Sequence, residues 1–436
     1  MIRFLMALVA AAFLALPANA IDIKEVTSPG GIKAWLVEEP SIPFMALEIR
    51  FKGGASVDRD GKRGAINLMT GTIEEGAGDL DATQFAAARE ALAASYRFDV
   101  HDDALTISSQ FLTENRPEAL ALLRKALIEP RFDQSAIDRV RAQVLSGIRS
   151  NEQDPANIAQ ETFMTKAFGD HPYGSAVEGT IESVEALTRD DILAAYKDVM
   201  ARDRIYVGAV GDITADELGA ILDDLLGALP ETGAPLPQDV DVALTGGKTV
   251  VPFNTPQSVA VFGHEGIERD DPDFFAAFVM NQVLGAGGFG SRLMEEVREK
   301  RGLTYGVNSY LAPKDHAELM LGQVASSNDR IAQAIEVIRD EWVKLAAEGV
   351  TEQELEDAKK YLTGAYPLRF DGNSTIANIL AGMQMDDLPI DYADTRNDKV
   401  NAVTLDDIKR VAARLMRPEA LHFVVVGQPE GIESTN

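Results

Sequence analysis

VEALTRDDILAAYKDVMARDRIYVGAVG, residues 184 to 211, returns 216 positions later as VNAVTLDDIKRVAARLMRPEALHFVVVG, residues 400 to 427, without a gap. Val184, Ala186, Thr188, Asp190, Asp191, Ile192, Met200, Val210 and Gly211 each meet the same residue in the second copy. Both copies spell one unit: a Thr N-cap with Asp at the third helical position, an amphipathic helix, a short turn, and a strand closing in Gly. Two unrelated helix–strand units would share some of this. An ungapped register over 28 positions favours duplication.

Working outward, the front ends correspond more loosely. FKGGASVDRDGKRGAINLMTGTIEEGAG from Phe51 and FGHEGIERDDPDFFAAFVMNQVLGAGG from Phe262 each read as a strand end, an acidic loop and a helix closing in Gly. ALPETGAPLPQDVDVALTGG, residues 228 to 247, carries three prolines and three acids and suits an extended linker. Strands separated by several helices, as over 100–164, fit α+β better than strict βαβ alternation. The expected fold is two homologous α+β domains, residues 21–229 and 248–436, joined by a linker over 230–247.

The first twenty residues stand apart. Arg3, an apolar run from Phe4 to Leu16, Pro17 and the small residues Ala18 and Ala20 read as a signal peptide cleaved after Ala20. The run is shorter than the roughly 20 residues of a spanning helix, and no later stretch approaches that length. The expectation is an exported chain, periplasmic or otherwise secreted, with no membrane span. Its formal net charge of −28 repels phosphate backbones and argues against nucleic-acid binding. With no cysteine there is neither thiol chemistry nor Cys-ligated metal.

Self-sufficient chemistry is hard to find. GAGGFG, residues 285 to 290, matches G-x-G-x-x-G, but DFFAAFVMNQVL before it is helical, with Phe274, Val279 and Val283 among its apolar positions. A dinucleotide loop needs a strand there, so the glycines read as a turn between helices. His101, His171, His264, His316 and His422 are scattered, with no pair at helical spacing to seat zinc, and His101-Asp102-Asp103 reads as a polar turn. No G-x-S-x-G elbow occurs. GKRGAINLMTGTIEEGAG, residues 61 to 78, reads as a helix with Ile66, Met69 and Ile73 facing a core. The face beside them carries Asn67, Thr70, Gly71 and Glu74, where side chains stack. Gly71 costs a helix interior about 1 kcal/mol, so that face lacks what its position invites.

On the duplicated halves, on DHPYG at 170–174 with the DDI helix after it, and on SRLMEEVREKRGLTYGV at 291–307, the chain resembles the insulinase (pitrilysin) family of zinc peptidases. The likeness spans nearly the whole chain after the leader and is greatest to the short-subunit branch of mitochondrial processing peptidase. It implies that two such chains close like a clamshell around a peptide-holding chamber. Members that bind zinc carry H-x-x-E-H on the first helix, its Glu as general base, and a third ligand Glu further along. Laid on this chain, the two His positions fall at Asn67 and Gly71 and the base at Thr70. The third ligand falls at Gly147, 76 positions after Gly71. Asn is a poor ligand, and Thr and Gly supply neither ligand nor base. The resemblance therefore implies a subunit with no metal of its own.

The family's other half-site, an Arg and a Tyr seven apart that hold substrate backbone opposite the metal, matches Arg298 and Tyr305. Guanidinium and phenol donors suit a carbonyl or a developing oxyanion. Beside that stands a plain reading in which Arg298 pairs with a neighbour such as Glu295 and Tyr305 alternates into a core with Leu303 and Val307. The expected function is that of a metal-free subunit, inactive alone, giving Arg298, Tyr305 and chamber wall to a homologous H-x-x-E-H partner that carries zinc. The partners are that subunit and extended peptide substrates. The alternative is an inert structural or peptide-binding protein of the same fold. An independent enzyme with relocated chemistry finds no constellation to support it.

Overall fold

The computed structural model describes residues 21–435; residues 1–20, read above as a leader cleaved after Ala20, lie outside them. The first half contributes β1 (Lys24–Thr27), β2 (Lys33–Glu38), β3 (Phe44–Lys52), a short ribbon of β4 (Gly76–Ala77) and β5 (Leu80–Asp81), β6 (Ser95–Val100), β7 (Ala104–Leu112) and β8 (Ile205–Gly211). The second contributes β9 (Gly247–Pro252), β10 (Gln257–Glu265), β11 (Val307–Pro313), β12 (Glu318–Ser327) and β13 (His422–Gly427).

The first sheet runs β1-β2-β8-β3-β7-β6 and the second β11-β12-β10-β13-β9. Reversed, the second order matches β2-β8-β3-β7-β6 strand for strand, with β1 as the addition. The senses agree too: β2/β8 and β9/β13 are parallel, and their neighbours are antiparallel. This is the duplication expected from residues 184–211 and 400–427. Each copy's helix, Arg189–Val199 or Leu405–Leu415, opens in a capping box, Thr188 with Asp191 and Thr404 with Asp407.

Both faces of each sheet are covered, so the central strands read as continuous apolar runs rather than alternating ones. In β13, Phe423 and Val425 enter the core of the second half. Val424 and Val426 point the other way, against Ala159, Phe163 and Ala167 of helix Pro155–Phe168, which belongs to the first half. The reverse exchange is equally clear. Ala377, Leu380 and Met383 of helix Asn373–Met385 pack on Trp35, Ala46 and Val210 of the first sheet. The two helices occupy equivalent places in the duplication. Each half lends the other the helix that covers its outer sheet face.

Polar contacts reinforce the exchange. Tyr173 of the DHPYG motif is buried and donates its hydroxyl proton to Asp103, while the backbone N–H of His316 donates to Tyr173 Oη at 3.2 Å. Lys314 pairs with Asp102 at 2.8 Å and stands 4.1 Å from the Tyr173 ring centroid. His101-Asp102-Asp103, a bare turn by sequence, is thus half of a junction between the two parts of the chain. The linker lies along it: Val240 N–H donates to His316 O at 2.9 Å and Ala243 N–H to Ala167 O at 2.9 Å.

Gly208 in β8 lets the lent helix approach, since a Cβ there would stand 2.1 Å from Ala377 O. Gly208→Ala should push helix Asn373–Met385 off its sheet and cost about 1–3 kcal/mol, the usual range for overpacking. Urea unfolding would show a lower midpoint. An unchanged midpoint would mean the helix retreats at no cost.

Candidate functional site

The first helix spans only Ala65–Thr70. It begins at Gly64, φ +91, where a Cβ would meet Glu178 O at 2.3 Å. Asp58 accepts from the N–H groups of Gly64 at 2.8 Å and Ile66 at 2.9 Å. Burial pushes Asp58 up to about 6, against those bonds and the nearby Arg63. Ile66, Met69 and Ile73 are buried as their spacing predicts. The single helix expected over 61–78, however, ends a turn or more early. Thr70 Oγ1 donates to Ile66 O at 2.7 Å and Thr72 Oγ1 to Leu68 O at 2.9 Å, and such back-bonding competes with helix continuation. The chain then turns into β4.

Of the four positions that correspond to a metal site, Thr70 is buried with its hydroxyl committed to the helix backbone, and Asn67 is half-buried. Gly71 caps the helix and Gly147 lies on the exposed side of helix Gln134–Asn151. The two carboxylates nearest in sequence, Glu74 and Glu75, are tied to Arg89 and Arg139. Among the described residues no group of three or more His, Cys, Asp or Glu could hold a metal ion. Asn67, Thr70, Gly71 and Gly147 do not fit zinc chemistry.

The second set of candidates lies in the other half. Residues Met294–Glu299 form a wide helical turn in which Lys300 N–H reaches back to Glu295 O at 2.9 Å, a five-residue step. Arg292 anchors it with a two-pronged bond to Glu354, Nε to Oε1 at 2.6 Å and Nη2 to Oε2 at 2.7 Å. Burial by itself would raise the Glu354 pKa, but Arg292 and the Thr351 cap hold it down at about 2. Arg298 is part-exposed; its guanidinium lies 4.5 Å over the Phe289 ring centroid and Nη1 donates to Glu299 at 2.8 Å. Arg298 thus pairs with a neighbour, as the plain reading has it, though with Glu299 rather than Glu295, which binds Lys300.

Tyr305 corrects the plain reading. Leu303 and Val307 are buried, but Tyr305 is 88% exposed in the loop before β11 and belongs to no core. Sequence reasoning also missed Phe289, 71% exposed at the tip of the GAGGFG turn. The helix before it, Phe274–Asn281, runs on in a wide turn over Gln282–Ala286, so the chain turns, as expected, only from Gly287, with Gly288 at φ +57. A Phe between glycines was the available signal, since an aromatic in a tight turn has little core to enter. The structure thus brings an exposed phenol, a guanidinium and an unburied ring to one segment.

The family model described as insulinase (peptidase family M16) matches residues 33–181, and the model described as peptidase M16 inactive domain matches 186–362. The chain is 28% identical over 425 residues to a Helicobacter pylori protein named non-peptidase homolog YmxG, covering 97% of this chain and 98% of that one. It is 25% identical over 406 residues to an uncharacterized zinc protease of Streptomyces coelicolor, covering 89% and 88%. Among solved structures, a peptidase M16 inactive domain from Pseudomonas fluorescens superposes with TM-score 0.88 at 27% identity, over 94% of this chain and 99% of that one. A protease from Helicobacter pylori shares the fold, with TM-score 0.84 at 16% identity over 93% and 100%.

Two variants with opposite signs test the local geometry. A Cβ at Gly71 would stand 2.9 Å from Val140 Cγ1, whereas one at Gly147 meets nothing within 4 Å. Gly71→His should destabilise by about 1–3 kcal/mol. Gly147→Glu should stabilise by roughly 0.5–1 kcal/mol, since it replaces a helical glycine. Thermal melts of the two single variants measure both.

The Arg292–Glu354 pair carries a pH signature. A carboxylate depressed on folding contributes stability above its unfolded pKa near 4.5, and that stability is lost as pH falls toward about 2. Glu354→Gln should cost about 1–2 kcal/mol at pH 7, allowing for a part-exposed pair, and the difference from wild type should vanish near pH 2. Chemical denaturation across that range checks it.

Proposed function

The chain belongs to the insulinase family, peptidase family M16, and from that premise we propose that it is the non-metal subunit of an exported peptidase complex rather than a peptidase by itself. One observation carries the reading: the four metal-site positions are Asn67, Thr70, Gly71 and Gly147, while the Arg298–Tyr305 segment keeps its donors at the surface. A homologous subunit with H-x-x-E-H would carry zinc and the general base. This chain would supply Arg298 to the substrate carbonyl, Tyr305 as a second donor, and half of a clamshell chamber in the periplasm. The terminal strands β6 and β11 hold equivalent places in the two sheets and offer edges for an extended peptide to join.

The second reading, an inert structural or peptide-binding protein, has its own support. The Helicobacter pylori relative, similar along almost its entire length, is named a non-peptidase homolog.

The two readings part on Arg298 and Tyr305. If they meet charge developing on the substrate, Arg298→Ala and Tyr305→Phe should each lower kcat/KM of the reconstituted pair by about 10²–10³, with assembly and the partner's zinc intact. Arg298→Lys should rescue poorly, because an ammonium lacks the guanidinium fork. The comparison needs a co-expressed H-x-x-E-H homologue, a peptide substrate, and size-exclusion chromatography to check assembly. Activity within about threefold of wild type, under 1 kcal/mol, would give the second reading the lead.

A further inference from the structure

Where helix Asn373–Met385 crosses to the first sheet, a cavity of about 330 Å³ opens between the halves. Four guanidinium groups line it: Arg50 from β3, and Arg269, Arg369 and Arg396 from the second half. Asp386 is the one carboxylate in its wall. That ratio runs against the molecule as a whole, which has 69 acidic residues to 41 basic ones.

Two of them, Arg396 and Arg269, are held by rings and neutral oxygens rather than by counter-charges. Arg396, only 6% exposed, donates to Leu362 O at 2.8 Å and Asn397 Oδ1 at 3.0 Å, and lies 4.5 Å over the Tyr366 ring. Arg269 donates to Tyr392 Oη at 2.8 Å and lies 4.3 Å over Phe274. Among the described residues, neither of these nor Arg369 has a carboxylate oxygen within 4.0 Å. Arg50 Nε is buried with no hydrogen-bond partner, its nearest carboxylate oxygen, on Glu48, being 3.6 Å away. Burial depresses the Arg396 pKa and raises that of Asp386, the latter against the pull of Arg269 and Arg50. Arg396, buried without an opposite charge, carries a desolvation cost. An anion in the cavity would remove that cost.

We propose that this cavity binds a small organic anion, a carboxylate or phosphate carried on a planar apolar body. The guanidinium groups meet the anionic end with forked hydrogen bonds, and the aromatic wall takes the body. The volume, at the low end of the roughly 300–1,000 Å³ typical of ligand pockets, suits a single-ring compound. Because Arg50 comes from one half and the other arginines from the second, the ligand would also brace the junction.

The test is calorimetric titration and thermal melting of the full chain without its leader. The probes are phenyl phosphate, benzoate, inorganic phosphate and uncharged benzyl alcohol, at matched ionic strength. The expected result is one site per chain for phenyl phosphate or benzoate, with a raised Tm, and no binding of benzyl alcohol. The tighter of the two anions identifies the head group. Inorganic phosphate should bind at least about tenfold more weakly for want of ring burial. Arg369→Gln, at an exposed position that leaves the fold intact, and Arg269→Gln should each weaken binding about tenfold. No binding of either organic anion at millimolar concentration would overturn the proposal, as would equal binding of inorganic phosphate or affinities that neither variant changes.

Discussion

The reciprocal loan of one helix is the constraint on which the rest of the structure depends. A sheet with an apolar outer face needs a cover, and here each cover comes from the opposite half. Phe163 and Ala167 lie on the second sheet; Ala377 and Leu380 lie on the first. Neither half can then keep its buried outer face if it separates from the other. The linker and the Tyr173–Asp103–His316 contacts fix the geometry, but the exchanged apolar faces supply the driving force. The chain is thereby held in one arrangement of its halves rather than as two swinging domains.

The duplication was legible because a capped helix leading into a strand is a local pattern. Thr188, Asp191 and their counterparts Thr404 and Asp407 occupy equivalent roles in sequence and in space. The exchange was not legible. An apolar face on residues 155–168 says that a helix is covered, and nothing about which of two similar sheets covers it. The stretch 61–78 misled for a different reason. Its apolar spacing is correct throughout, yet Thr70 and Thr72 bond back to the helix and the chain leaves it after Thr70. At the candidate site, the residue identities were readable by position, but the environments were not. Alternation with Leu303 and Val307 suggested a core for Tyr305, although the strand starts only at Val307 and leaves Tyr305 in solvent. The four-arginine cavity draws on residues 50, 269, 369 and 396, and no local pattern could have joined them.

The two candidate segments are built differently. At the first helix, positions that a zinc site would fill with imidazole and carboxylate hold an amide, a hydroxyl tied to backbone and two glycines, and a Cβ at Gly71 would crowd Val140. Arg292 and Glu354 hold the wide turn, and Phe289 lies under the Arg298 guanidinium.

Metal analysis of the purified chain after dialysis against trace zinc tests the central claim most directly. With Asn67, Thr70, Gly71 and Gly147 in place of a ligand set, zinc should be far below one equivalent per chain, and the chain alone should cleave no peptide. Near-stoichiometric zinc together with chelator-sensitive cleavage by this chain alone would contradict the account.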